Sequence, residues 1–499
     1  MATTGFESAS QQPIVQLIDK TEKPRSYDRA SSTRYFCLCG LGFTWLLFIG
    51  GVIAIIVLAT KSDEGNYTAT LSHPATGTVV LPLVFAVVIT VCNECLGIIH
   101  TTSLRWSLWR EGRLSFNTNL RLFTRSRSFA PNAWYSNFVC VVLSALSYAA
   151  AGQLISVDSQ STADNLTISI PALASLFIGL SGQAAIATWA LSGMKRQIPT
   201  WSSGSINNSL ALHQHSLAHE PGYSLTSYDK TRKAGKTVIP SRVQPSLGSS
   251  RRSAVLVTIC QWTIALATII WSSVIIANYS GVVSDNTHSS FLHRGARSSS
   301  DIAIVTNGRA SSVNWVSTFV AFGIQLPFTF TLHCTELLVN ASRDERAWRR
   351  SAKLKSKGAR MDTNAIKDAC TSWETITLFV LKSLVHWGFG EAVEIQFSDG
   401  DTSIDMWANS LYLLSAFTVI VAVFGTYLCY RRPKGPQPVA WGHFQTLVNL
   451  IDDWGSQDQP LYWGDKGHVR WVDDGEVRRA GTAGTASGLS AIHMNASYY

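Results

Sequence analysis

The chain has 499 residues, 46% of them hydrophobic and 15% charged, with a formal net charge of +9. That apolar share is ordinary as an average, but it is gathered into blocks with the charges confined between them, which speaks against a soluble globular enzyme. The basic residues are spread over several inter-block stretches rather than gathered in one patch, which speaks against nucleic acid as a partner.

Residues 1–35 form a polar N-terminal segment without a short apolar core and small-residue cleavage site, so the first apolar block is expected to act as the insertion signal. Apolar stretches of roughly 20 residues or more, the length that spans a bilayer as helix, follow at Phe36–Ala59, Val79–Ile99, Trp134–Val157 and Ile168–Met194. Residues 195–252 are rich in Ser, Gly, Pro and Asn without an apolar period, and predict an unstructured basic loop. A second set spans residues 253–430, with Ala254–Ala277, Val313–Val339, Trp373–Val393 and Met406–Tyr430. The tail, 431–499, carries Phe444, Leu447, Val448, Ile451 and Trp454 at helical spacing, predicting a short amphipathic helix over about 443–454.

Charge orients these spans. Residues 101–133 hold six Arg against Glu111, residues 195–252 nine Lys/Arg against Glu220 and Asp229, and residues 341–372 nine against four acids, so these loops are expected in the cytosol. Asn66, Asn165 and Asn278 each head an Asn-x-Ser/Thr sequence in the opposite loops and are candidate glycosylation acceptors facing outside. The Trp373–Val393 segment must cross for Arg431, Arg432 and Lys434 to be inside and Glu394, Asp399, Asp401 and Asp405 outside. The expected fold is therefore an all-α polytopic bundle of about eight spans with both termini cytosolic.

The order of landmarks admits two parallel four-helix repeats. Cys92-Asn93-Glu94 precedes the cytosolic exit of the second span as Cys334-Thr335-Glu336 precedes that of the sixth. Trp109, Trp134 and Tyr148 then follow with the same two gaps, 25 and 14, as Trp348, Trp373 and Trp387. Chance alignment in a chain with 17 Trp is the competing explanation.

The chemistry-bearing residues lie inside the spans. Lys382, midway along its span, is costly at that depth and marks a candidate site. His386 shares its helical face. Gln325, Thr329, His333, Glu336 and Asn340 form one polar stripe running past Pro327, a helix-kinking residue. Glu94 sits roughly 8 Å and Lys382 roughly 14 Å inside the cytosolic boundary at 1.5 Å per residue, a gap that a lysine side chain can bridge. Glu94, Gln325, His333, Glu336, Lys382 and His386 thus outline a candidate polar path for a small solute or ion, while a buried Lys–Glu pair can equally serve only to fix helix register. Glu336 and Glu374 are the alternative acidic partners.

Arg105, Trp109 and Arg113 share a helical face after the second span and predict contact with anionic lipid headgroups of the bilayer. Cys92-x-x-Cys95 has redox spacing but lies in an apolar helix, where packing is the simpler role. None of the nine cysteines falls in an outward loop, so no disulfide framework is expected. His213, His215 and His219 make at best a loose metal set, so no metal and no cofactor are expected, and no catalytic motif is visible.

The segments Asn93–Gly97, Ser103–Arg113, Leu332–Asn340 and Trp441–Gln445 resemble those of a family of uncharacterised fungal multi-pass membrane proteins, over most of residues 35–470. The resemblance implies architecture and membrane location and carries over no functional residue. A transporter or channel-like protein is the leading expectation, with a receptor, sensor or scaffold acting through the basic loops and tail as the alternative.

Overall fold

The computed structural model describes residues 25–61, 66–70, 74–158, 165–194, 197–228, 237–279, 306–307, 310–355, 357–361, 370–398, 401–456, 459–472 and 475–499. In chain order the helices are α1 (Ser31–Ala59), α2 (Pro74–Arg110), α3 (Trp134–Gly152), α4 (Ile170–Met194), α5 (Ser205–His215), α6 (Leu247–Ser250), α7 (Arg252–Tyr279), α8 (Ala310–Arg349), α9 (Trp373–Ala392), α10 (Ala408–Tyr430) and α11 (Phe444–Leu450). Six of them, α1–α4, α7 and α10, are long and apolar enough to cross a bilayer. Long apolar runs become helices there because a helix satisfies every backbone group within its own segment. These six make the chain a multi-pass membrane protein. The long helices α8 and α9 carry polar residues, Gln325, His333 and Glu336 on one and Glu374, Lys382 and His386 on the other.

Two groups of four helices share one packing scheme. In the first, α1 packs on α2 and α4, and α3 on α4; in the second, α7 packs on α8 and α10, and α9 on α10. Each group carries a small antiparallel sheet at the same end. Strands β1 (Asn66–Thr70), β2 (Ile155–Asp158) and β3 (Asn165–Ser169) order as β1-β3-β2, and β4 (Thr306–Asn307), β5 (Val393–Ser398) and β6 (Asp401–Met406) as β4-β6-β5. The contact between the groups runs through α3 against α8, α9 against α2, and α3 against α9.

At the opposite end α2 (37 residues) and α8 (40 residues) extend to roughly 55 and 60 Å, well beyond the ~30 Å hydrocarbon thickness. Their projecting ends scaffold a cap. Its core joins Ile206 and Leu210 of α5, Trp348 of α8 and Leu447 and Leu450 of α11 to Trp463 and Tyr498. The last two lie on β7 (Tyr462–Val472) and β9 (Ser497–Tyr498), which with β8 (Gly475–Ala483) form a third sheet ordered β7-β8-β9.

Three expectations are corrected. The chain is mostly helical but not all-α, since three small sheets are present. Within 195–252, the described residues 197–228 hold a helix where an unstructured loop was expected: α5 is largely buried although it is polar, because Asn207 Oδ1 accepts from Asp28 N at 2.8 Å, Asn208 Nδ2 donates to Asn117 Oδ1 at 2.8 Å, and Ser209 Oγ donates to Ser205 O at 2.8 Å. Hydrogen bonding replaced the apolar period as the means of burial. The tail helix ends at Leu450, not near 454, and gives way to the sheet.

Candidate functional site

Where the two helix groups meet, the α9 lysine is held by one carboxylate from each. Lys382 Nζ donates to Glu94 Oε1 of α2 and to Glu336 Oε1 of α8, the latter at 2.6 Å. His333 Nδ1 contacts the same Glu336 oxygen at 2.8 Å, and its Nε2 lies 3.2 Å from Ser144 Oγ on α3. The side chain of Lys382 is 2% exposed, whereas those of Glu336 and Glu94 are 24% and 38% exposed. The carboxylates therefore line a space and the ammonium group lies behind them. With all three ionised, the cluster carries one net negative charge.

That space is a cavity of about 440 Å³, lined from both groups by Glu94, Ser144, His333, Glu336 and Lys382. Leu120, Arg121 and Leu122 of the connection between α2 and α3 also line it, as do Arg105 and Arg343 near the cap. Away from the cap the groups close on each other. His386 stacks on Tyr148 with ring centroids 3.6 Å apart and planes 8° apart, and Gln325 Nε2 donates to His386 Nδ1 at 2.6 Å. One turn further, a Cβ added to Gly390 would stand 2.9 Å from Gly152 Cα, so only glycine permits this helix approach. Gln153 Nε2 donates to Val393 O at 2.6 Å across the same seam.

The cap end is closed by hydrogen bonds between the groups. Asn117 Nδ2 donates to Asp344 Oδ2 at 2.9 Å and to Ser203 O at 2.8 Å, while Asn117 N donates to Gly442 O at 2.8 Å. Burial pushes the Asp344 carboxyl up to about 6, against the opposing pull of Arg343, Asn117 and Arg105. Burial likewise raises Glu345, whose Oε2 accepts from Ala440 N at 2.8 Å and Trp441 N at 3.0 Å.

Of the sequence-derived path, Glu94, His333, Glu336 and Lys382 come together directly, and Gln325 and His386 form a second pair deeper in the seam. Glu374 is not a partner of Lys382: it is fully buried and paired with Arg346, and Ser372 Oγ donates to it at 3.0 Å. The lipid-facing reading of Arg105, Trp109 and Arg113 is corrected. Arg105 is buried and donates to Asn117 O at 3.2 Å and Ser202 O at 3.0 Å, because the residues after α4 cover the face it occupies. Trp109 Nε1 donates to Ser216 Oγ at 3.0 Å. Arg113 lies beyond the end of α2, turned away by Gly112 at φ 64° and paired with Glu111 at 2.8 Å.

His213, His215 and His219 are engaged separately, with Leu217 O, Tyr27 and Val448 O respectively. Cys92 and Cys95 are buried free thiols. Asn66 and Asn165 fall on paired strands β1 and β3 and Asn278 on the last turn of α7; their side chains lie outside the described residues. Sequence reasoning missed Ser144, Arg121 and Arg343 as cavity residues. Serine in a span and arginine in a basic loop carry no signal of facing inward. No family model, curated protein or solved structure matches the chain.

Proposed function

We propose that the protein is an eight-span transporter or channel-like protein built from two parallel four-helix repeats, with the cap and both termini in the cytosol. The identical strand orders β1-β3-β2 and β4-β6-β5 and the shared helix packing support the repeat. Glu94 and Glu336 are then equivalent residues, one per repeat. The basic loops at the cap end support the orientation, which places Asn66, Asn165 and Asn278 outside.

The observation that carries the reading is Lys382 clasped by Glu94 and Glu336 at the floor of a cavity between the repeats. The Lys382 cluster by itself, two carboxylates and one ammonium, is one positive charge short of neutrality and can take up a proton, while Arg105, Arg121 and Arg343 leave the cavity lining as a whole positive. Taking up that proton weakens one Lys–Glu contact across the seam, which links occupancy to how tightly the repeats hold together. The glycine seam and the His386–Tyr148 stack then act as the outer gate, and the Leu120–Leu122 segment as the inner one.

Accessibility tests this without knowledge of the solute. In vesicles of defined orientation, with the lining cysteines replaced, a Ser144→Cys variant should react with an impermeant maleimide from both faces, the two rates moving oppositely as pH changes. Lys382→Met should abolish that exchange. Cysteines at Asp401 and Lys434 should label from opposite faces, and labelling of both from one face sinks the eight-span topology. Reaction at Ser144→Cys from the cap side alone at every pH removes transport and leaves a receptor or scaffold. One feature favours that second reading: the cap is bonded to both repeats through Asn117–Asp344 and Arg105–Ser202, so a ligand in the cavity is wired to the cytosolic surface.

A further inference from the structure

The cavity lining has a charge imbalance that the Lys382 cluster does not absorb. Four cations, Arg105, Arg121, Arg343 and Lys382, face it against two carboxylates, Glu94 and Glu336. Lys382 is held by both carboxylates, and Arg105 by two carbonyl oxygens. Arg121 and Arg343 are different. Neither has a carboxylate within 4.0 Å among the described residues. Arg121 Nη1 meets Cys140 Sγ at 3.5 Å, and its Nη2 lies 2.7 Å from where a Cβ on Gly97 would stand. Arg343 Nη2 reaches Ser203 O at the long distance of 3.5 Å. Arg343 lies in the field of Asp344 and Arg121 in that of Glu336, but neither guanidinium is closed into an ion pair among the described residues, and both, partly buried on the cavity, present the fork of donors that suits a carboxylate or phosphate.

The rest of the lining is largely apolar, including Ile98, Leu120, Phe330, Val339 and Phe379. Its apolar rim also reaches the bundle surface: Phe36, Val91, Leu122 and Ile376 all line the cavity and are 40%, 40%, 37% and 45% exposed. A site with an anion-binding end, apolar walls and an apolar rim on the bilayer-facing surface matches a molecule that is itself half polar and half apolar. We propose that the cavity binds an anionic amphiphile, its carboxylate or phosphate head held by Arg121 and Arg343 and its hydrocarbon chain along the apolar wall. This deepens the transport reading by naming a ligand class and rests on the same cavity. The shared chemistry is an anionic head on an acyl chain, whether from a free fatty acid or from an anionic bilayer lipid.

The test uses the full chain in nanodiscs of phosphatidylcholine, with dansyl-labelled lauric acid as probe and its methyl ester as the neutral control. The acid should bind and unlabelled lauric acid should displace it, while the ester binds weakly. Arg121→Gln and Arg343→Gln should each weaken the acid about tenfold, the expected size for losing one charge-assisted hydrogen bond. If a glutamine variant does not fold, Arg121→Lys and Arg343→Lys keep the charge and lose the fork, and should bind with intermediate affinity. Equal binding of acid and ester, or full affinity in the double variant, overturns the proposal. Displacement on adding phosphatidylserine to the nanodisc identifies a bilayer lipid as the source, and displacement by lauric acid alone identifies a free fatty acid. The two readings fail separately. Probe binding with Ser144→Cys labelled from one face only removes transport and keeps the ligand; two-face labelling without probe binding removes the ligand and keeps transport.

Discussion

The two helix groups have the same strand order and the same helix pairings, and under the proposed repeat they treat one position in opposite ways. Counting from Trp134 and Trp373, Lys382 of α9 corresponds to Leu143 of α3. Leu143 turns into its own group, where its Cδ1 lies 2.6 Å from where a Cβ on Gly182 would stand. Lys382 instead reaches across the seam to Glu94 and back to Glu336. Two lysines facing two glutamates would have made a neutral set. One lysine shared by two glutamates leaves the set one positive charge short. That asymmetry sets the charge of the Lys382 cluster.

The largest effect should come from removing that asymmetry. Lys382→Met strands two carboxylates against each other at the seam, and loss of one side of a buried ion pair costs about 3–5 kcal/mol. Glu94 is 38% exposed, so hydration places the expected loss toward the lower end. Thermal melts in detergent should show a large drop for Lys382→Met and a partial recovery in Lys382→Met/Glu94→Gln, with further recovery when Glu336→Gln is added. Strictly additive losses would mean that the three side chains do not form one energetic unit.

At the cap the groups meet through Asn117 and Asp344, and here a substitution should stabilise. Burial raises the Asp344 carboxyl to about 6 from 3.8, so between those values the native chain holds a proton that the unfolded chain has released. Native stability therefore falls as pH rises through that window, by about 3 kcal/mol once both forms are ionised. Asp344→Asn cannot ionise and keeps an acceptor for Asn117. It should melt higher than the parent at pH near 7.5 and the same at pH near 4. A lower melting temperature at both values would show that Arg343 and Arg105 gain more from the charge than burial takes.

How much of this the sequence could supply depended on the kind of signal. The long helices stood out because about 20 apolar residues have no other economical fold in a bilayer. Lys382 stood out because charge is rare at that depth, and Glu94 because its distance along the helix left it within a lysine's reach. The stripe through Gln325, His333 and Glu336 followed from helical spacings of four, four and three, although its two ends serve different contacts. The cap was legible only in its tail helix, through the spacing of Phe444, Leu447 and Val448. Its helix α5 is buried through Asn and Ser side chains, which read as linker composition. The Trp441-Gly442 turn matters through backbone, with positive φ of 45° and 74° wrapping amides onto Glu345, rather than through any apolar pattern. Arg121 and Arg343 escaped notice because a basic loop looks the same whether its arginines face water or a cavity.

The smallest of the three effects, and the most local, concerns the glycine seam that closes the two groups at the sheet end. Gly152 and Gly390 face each other so closely that an added methyl on either meets the other's Cα at about 3 Å. Backbone sits on both sides and cannot swing away as a side chain would, so the helices must part. Overpacking of this kind costs about 1–3 kcal/mol, from which alanine's better helix propensity returns about 1 kcal/mol. Gly152→Ala and Gly390→Ala should therefore each lower the melting temperature modestly. The more telling readout is access: parting the seam by even part of a methyl diameter loosens the Tyr148–His386 stack one turn away. Ser144→Cys, combined with either alanine, should then react faster with impermeant maleimide from the sheet end and at an unchanged rate from the cap end. An equal rise from both ends would mean that the bundle had loosened as a whole, and an unchanged rate would mean that the seam is a packing contact with no part in gating.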